Sequence, residues 1–246
     1  ENEEGLQKTW TVDFHPVTES ISPIVSYGDH VMGGDIMSDL IRQEEKLGKK
    51  VVFAINGDAY DTTNGVSNGL MIRNGILIST SNGSEAVGFK KDGTVIFGKT
   101  SLKITATVDQ KTIPIAHVNK ERKLERKNVY LLTEQFSQTT QSTQPGVEVV
   151  LDVKTKDYQG IKIGQKLTAE VASVNQVKEN PDKNTTRIGY GQIALCANAE
   201  SDQYEALTSL AKGQEVIIDV QNNNTDVNWG EAEHRLHPEV GKRNQN

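Results

Sequence analysis

The most informative polar cluster in the sequence follows directly on an apolar run. Residues 51–55 (VVFAI) are apolar at every position, and Asn56, Asp58 and Asp61 come next. A continuous apolar run of this length indicates a strand that is covered on both faces. Ligands bind beyond the carboxyl ends of strands in open sheets, so these groups could hold a sugar or polarise a leaving group. The alternative is an Asx-type turn in which Asn56 and Asp58 serve only the local backbone.

Two later segments add polar groups that could join such a site. Residues 119–122 (NKER) lie between predicted strands, and Glu148 lies within the apolar strand pattern of residues 146–150. A solvated charged turn is the plain alternative for the first segment. For the second, alternation places Glu148 on the face opposite its apolar neighbours, where an exposed strand glutamate is the plain alternative.

Several classes of site have no support in the sequence. The five histidines lack HExxH spacing, and no GxSxG, P-loop or GxGxxG motif occurs. Zinc-dependent, serine-hydrolase and nucleotide-binding chemistry are therefore not predicted. No cofactor is indicated, and a divalent cation is compatible with the residues without being indicated. Cys196 is the single cysteine, which excludes an intramolecular disulfide, and its alternating context predicts a buried strand position.

Charge and composition narrow the range of partners. The 246 residues carry 27 basic and 33 acidic side chains, a formal charge of −6, so nucleic acid is not an expected partner. The apolar runs are much shorter than a bilayer-spanning helix requires, so a transmembrane protein is not expected either. Aromatic residues make up 5% of the chain, which together with many polar residues is typical of β-rich proteins.

The elements that must position these residues are mostly strands. Turn chemistry predicts hairpins over residues 70–79, turning at Asn74-Gly75, and 86–97, turning at Asp92-Gly93. A helix is predicted from a cap at Asp35 to Leu47, and a second from a cap at Asp202 to Gly213. Further strands are predicted over residues 102–115 (a pair), 129–132, 146–153, 166–177, 187–197 and 215–220, with a loop at 137–144.

No repeat or linker composition marks a boundary, so residues 1–246 are expected to form a single domain. The predicted fold belongs to the α/β class with an α+β-like arrangement. It has a β-rich mixed sheet with a buried central strand at residues 51–55, several hairpins and two main helices.

The order and spacing of these segments, over about residues 35–229, resemble the phosphodiester glycosidase family, that is, N-acetylglucosamine-1-phosphodiester α-N-acetylglucosaminidase-like domains. Each segment is degenerate by itself, and only the ordered set is specific. The family's C-terminal motifs, including an NLDGGGS-like segment, have no counterpart here, so that portion is expected to be missing or divergent. The matching segments are 53–61 (FAINGDAYD), 68–75 (NGLMIRNG), 87–94 (VGFKKDGT), 118–122 (VNKER), 139–140 (TT), 146–150 (GVEVV) and 204–220.

The resemblance implies a hydrolase that cleaves sugar-1-phosphodiester linkages of the N-acetylglucosamine-phosphate type in extracellular or cell-wall glycans. The alternative is a non-catalytic glycan- or cell-wall-binding module with the same fold. The implied catalytic residues are Asp58 and Glu148, acting as acid, base or nucleophile. The implied substrate-binding residues are Asn56, Asp61, Arg73, Asn119, Arg122 and Thr140, with the arginines on the phosphodiester.

The same resemblance implies a bacterial, secreted or cell-surface protein. The chain begins with residues 1–4 (ENEE), without an initiator methionine or a basic-then-apolar leader, so a mature or trimmed form of a longer product is expected. Its expected partner is a glycan or sugar phosphate. If closing strands are missing, a homo-oligomer or a partner chain is expected to cover an open sheet edge. For a shared site, Asn56, Asp58, Asn119, Arg122 and Glu148 are expected to converge on one cleft.

Overall fold

The computed structural model describes residues 11–13, 21–123, 127–179 and 186–236. The described residues form two α-helices, α1 (Met37–Lys46) and α2 (Tyr204–Thr208), and a short 3-10 helix, Trp229–Glu231. Their strands are β1 (Met71–Arg73), β2 (Ile76–Ser79), β3 (Glu85–Phe89), β4 (Val95–Lys99), β5 (Leu102–Val108), β6 (Lys111–Ile115), β7 (His117–Val118), β8 (Val129–Thr133), β9 (Gly146–Val153), β10 (Lys166–Val177), β11 (Gln192–Asn198), β12 (Glu215–Asn222) and β13 (His234–Leu236).

These strands form two sheets. One is five-stranded, in the order β2-β1-β13-β3-β4, and all its pairs are antiparallel. The other is eight-stranded, in the order β6-β5-β12-β10-β9-β11-β8-β7, and is mixed because β7 and β8 pair in parallel. The predicted class, a β-rich α/β fold with a mixed sheet, several hairpins and two helices, is confirmed.

Local turn chemistry accounts for the hairpins. Asn74 and Gly75 have φ values of 52° and 69°, the left-handed pair that a two-residue turn between β1 and β2 requires. Gly93, with φ of 85°, lies in the turn between β3 and β4. Both predicted hairpins are confirmed, and β9 and β10 have the predicted bounds. β11 begins at Gln192, later than predicted, because Arg187 makes only an isolated bridge to Thr139.

The prediction of a buried central strand at residues 51–55 is wrong. Val52, Phe53 and Ile55 are 63%, 44% and 62% exposed. Among the described residues, no main-chain hydrogen bond joins residues 50–58 to another segment. The physical reason is that a strand needs a neighbouring strand edge, and the described part of the chain brings none to this segment.

Buried interior strands occur instead in the eight-stranded sheet, and β11, which lies between β9 and β8, is one of them. Its alternate residues serve two cores. Leu195 packs with the larger core, which joins residues of both sheets, and Cys196 packs with a smaller core on the opposite face. Both side chains are fully buried, so the predicted buried strand position of the cysteine is confirmed.

The helices differ in detail from the predictions. α1 begins at Met37 with Ile36 at the N-cap, and no side chain caps it; Asp35 instead accepts a hydrogen bond from Gln43. Its buried residue is Glu44, while the apolar Ile36 at its start is 66% exposed. α2 is shorter than predicted and buries Leu207. Neither described helix has the length and apolar content needed to cross a bilayer.

Candidate functional site

Residues 119–123, which follow β7 and which we call the strap, contact the loop that carries Asp58 and Asp61. Lys120 Nζ donates to the carbonyls of Ser67 and Gly69. Lys123 Nζ lies 3.3 Å from Asp61 Oδ2. A third contact joins the Asn64 amide to the Glu121 carboxylate at 2.6 Å. The strap and residues 58–69 therefore form one polar assembly, although they are distant in sequence.

Asp58 and Asp61 both organise this loop. Asp58 Oδ2 accepts hydrogen bonds from the Gly69 N–H at 2.8 Å and from the Ser67 hydroxyl. Asp61 Oδ1 accepts from the Thr63 hydroxyl at 2.6 Å and from its N–H at 3.0 Å. These two bonds, followed by Lys123, lower the pKa of Asp61 to about 2. Asp61 therefore forms an Asx-type turn with Thr63 and is held ionised. The predicted alternative of a local turn at Asn56 and Asp58 is wrong, because Asp58 bonds to Ser67 and Gly69, which are 9 and 11 positions later in the chain.

Arg122, also in the strap, turns into the protein instead of toward solvent and is 3% exposed. The charged-turn alternative therefore does not describe this residue. Gly146 permits the close packing, because an added Cβ would clash with the Arg122 guanidinium and with the Ala197 carbonyl. The guanidinium donates to Ser142 Oγ (3.3 Å), Gln144 O (2.6 Å), Pro145 O (3.0 Å), Ala197 O (3.2 Å), Asn198 Oδ1 (2.9 Å) and Glu148 Oε1 (3.5 Å).

Glu148 is fully buried in the middle of the eight-stranded sheet. Its side chain points away from its apolar neighbours, as alternation predicted, but the face it points to is covered as well. Oε1 faces Arg122, and Oε2 accepts a hydrogen bond from Thr140 Oγ1 at 2.9 Å. The exposed-strand alternative is therefore wrong. Burial, and then the neighbouring Glu148, raise the pKa of Cys196, the cross-strand partner in β11.

Asn119 is a buried tie between the two sheets. Its Nδ2 donates to the Ile78 carbonyl at 2.7 Å and to Thr133 Oγ1 at 2.9 Å, and its Oδ1 accepts from the Thr133 N–H at 2.8 Å. These bonds link β2 with β8. The amide that the resemblance assigns to a sugar is thus occupied within the protein.

Arg73 and Asn56 make none of the contacts that hold this assembly together. Arg73 Nη2 is 2.8 Å from Glu44 Oε1, and its guanidinium stacks 5.6 Å from the Tyr27 ring centroid. Asn56 is exposed and makes no hydrogen bond to another described residue. The structure therefore joins Arg122, Glu148 and Thr140 directly and links Asp58 and Asp61 to them through the strap.

A shallow polar groove of about 460 Å³ lies along β10 and residues 186–192, and the buried Glu148 is near it without lining it. Asn175, in β10, is the cross-strand partner of Glu148 and lines the groove. Thr186, another lining residue, donates its N–H to Thr140 Oγ1 at 3.3 Å. Hydroxyl, amide and guanidinium groups that could bind sugar hydroxyls or a phosphate come from Ser173, Asn175, Thr186, Arg187 and Gln192.

Sequence reasoning missed the groove residues and a second titratable cluster. The groove pairs β10 with residues 186–192, and no local pattern reveals that pairing. In the other cluster, Glu44 bridges Arg73 and Lys49, and His234 lies opposite Arg73 in β13. Burial, with Lys49 and Arg73, lowers the pKa of His234 to about 4. The described residues contain no group of three or more metal-ligating side chains.

Comparison with known proteins gives the fold alone. No protein-family profile and no curated protein matches the chain. A hypothetical protein from Synechocystis is similar in structure, with a TM-score of 0.69 at 13% identity over 90% of this chain. A protein of Burkholderia pseudomallei K96243 whose name suggests export gives a TM-score of 0.46 at 10% identity over 74% of this chain. The chain spans 37% and 40% of the lengths of these two proteins.

Proposed function

We propose that this chain is a hydrolase domain that cleaves sugar-1-phosphodiesters of the N-acetylglucosamine-phosphate type. The observation that carries the proposal is the polar groove beside Glu148, with Thr140 between the carboxylate and the groove residue Thr186. Groups of this kind bind sugar hydroxyls and phosphates, and a carboxylate at the anomeric carbon is the chemistry that glycoside hydrolysis needs.

The proposed roles follow from charge and position. Arg187 binds the phosphate, while Asn175 and Gln192 bind the sugar. Glu148 acts as base or nucleophile after exchanging its Thr140 hydrogen bond for one with the substrate. Phosphate is a good leaving group, so a strong general acid is not required. Asp58 stabilises the loop of residues 58–69, which the strap contacts. Its proposed role in catalysis is indirect and depends on that contact.

A non-catalytic glycan-binding module is the second candidate. The zero exposure of Glu148 and its bonds to Arg122 and Thr140 favour it, because both carboxylate oxygens already have partners within the protein. The same groove would then bind the glycan without turnover. In either case the bound molecule is an extracellular or cell-wall glycan, and we propose an extracellular or cell-surface location.

The test is incubation with methyl N-acetylglucosamine-1-phosphate, with released N-acetylglucosamine measured by chromatography. We expect turnover that Glu148→Gln abolishes and that Glu170→Gln, an exposed carboxylate on β10, leaves unchanged. Asn175→Ala should raise KM about fivefold, the cost of one hydrogen bond. Circular dichroism checks that each variant is folded.

Saturable binding without turnover, weakened by Asn175→Ala, would replace the hydrolase with the binding module. Absence of both binding and turnover would overturn both functions. Turnover that survives Glu148→Gln would remove Glu148 from the mechanism.

A further inference from the structure

Exposed apolar side chains are concentrated between residues 36 and 60. Seven large ones lie there: Ile36, Met37, Leu47, Val52, Phe53, Ile55 and Tyr60. Exposed apolar surface of this kind marks an interaction site more often than an isolated exposed side chain does. The centre of the stretch is residues 51–55, which we call the apolar segment.

The main chain of the apolar segment is also unpaired within the described structure. No main-chain hydrogen bond joins residues 50–58 to another described segment. None of residues 51–55 has a positive φ, so nothing in the backbone opposes an extended conformation. Free N–H and carbonyl groups, together with β-branched and aromatic side chains, are what strand addition requires.

We propose that the apolar segment pairs with the same segment of a second copy of this chain, as antiparallel strands about a two-fold axis at Phe53. Such an interface is isologous, and each copy supplies one edge. The pairing sets Val51 opposite Ile55 of the second copy and Phe53 opposite its own counterpart. Pairs of β-branched and aromatic residues are the favourable cross-strand contacts.

Charge complementarity selects the second copy and the antiparallel direction. Lys50 precedes the apolar segment and Asp58 follows it. About the Phe53 axis, Lys50 lies opposite Asn56 of the second copy and diagonal to its Asp58. A parallel pair would instead set Lys50 against Lys50, which is unfavourable. Lys50 is exposed and so can make this contact.

The test is the oligomeric state, measured by size-exclusion chromatography with light scattering over a concentration series. We expect a concentration-dependent dimer. Phe53→Lys places two like charges together at the axis and should weaken the dimer at least tenfold, by roughly 1.4 kcal/mol. Phe97→Lys is the matched control, because Phe97 is 68% exposed on β4, an edge strand of the five-stranded sheet.

Hydrogen exchange distinguishes this interface from any other. The amides of residues 51–55 should gain protection as the protein concentration rises, and Phe53→Lys should abolish that gain. A monomer at every concentration would overturn the proposal. A dimer that Phe53→Lys leaves intact would also overturn it, and so would a dimer in which the amides of residues 51–55 still exchange freely. Protection of these amides by a different polypeptide only, and not by a second copy of the chain, would overturn it as well.

Discussion

The Arg122 guanidinium lies 3.5 Å from the Glu148 carboxylate, and neither side chain is exposed. Removing two charges from water is expensive, and such a pair persists only where other hydrogen bonds satisfy the remaining groups. Thr140 does this for Glu148, and five further acceptors do it for Arg122. The pair therefore holds the strap and the 142–145 loop against β9 and fixes the geometry beside the polar groove.

We predict that Glu148→Gln destabilises the protein by about 3–5 kcal/mol, because it leaves the buried Arg122 charge uncompensated. Glu170→Gln removes one partner of an exposed contact with Lys154, 4.0 Å away, and should cost less than about 1 kcal/mol. Urea denaturation measures both free energies of unfolding. Equal stabilities of the two variants would contradict the role of the buried pair.

Asn119 combines a left-handed backbone, with φ of 51°, and a fully bonded buried amide. Asn119→Ala should therefore lose about 1–3 kcal/mol for the hydrogen bonds and about 1–2 kcal/mol for the backbone strain. Asn119→Gly relieves the strain and should be the more stable of the two variants.

Asn74→Ala is the matched comparison, since Asn74 has φ of 52° in an exposed turn and no buried amide to lose. It should cost only the strain. Thermal or urea unfolding of all three variants gives the comparison. If Asn119→Ala costs no more than Asn74→Ala, the amide does not tie the sheets together.

His234 should make stability depend on pH. Burial, and then Lys49 and Arg73, lower its pKa from 6.5 to about 4, so the folded state favours the neutral ring. Between these values the unfolded chain binds more protons, and stability therefore falls as the pH decreases from 6.5 toward 4. Above pH 6.5 the histidine adds no pH dependence.

Lys49→Met removes one of the neighbouring charges and should raise the His234 pKa, which NMR titration of the ring measures. Lys50→Met is the control, because Lys50 is not among the groups that shift this pKa. A His234 pKa near 6.5 in the unmodified protein would contradict the burial seen in the structure.

Cys196 should be inert toward thiol reagents in the folded protein. Its side chain is fully buried, and burial followed by Glu148 raises its pKa, so little thiolate forms. Ellman's reagent at pH 8 should modify it only after denaturation. Phe97→Cys introduces a thiol at an exposed position and should add one rapidly reacting group. Rapid modification of the unmodified folded protein would show that the smaller core opens readily.

The turn predictions, which depend only on residues close in sequence, succeeded, whereas the predicted helix cap at Asp35 did not form. Asn74-Gly75 and Gly93 turn the chain because their backbone conformations suit tight hairpins, whatever surrounds them. The same holds for β9 and β10, whose residue patterns mark their ends. Cys196 was placed correctly because alternation along a strand is itself local.

Tertiary structure alone decided which polar residues are buried and which apolar ones are not. Alternation placed Glu148 on the face away from Val147 and Val149, but the contacts with Arg122 and Thr140 that bury it there exist only in the folded chain. Residues 51–55 have the composition of a buried strand, but a strand needs a second strand to pair with. The described part of the chain brings no such strand to this segment, and its side chains are exposed. A strand's sequence determines its preference for being covered, whereas its burial depends on residues far away in the chain.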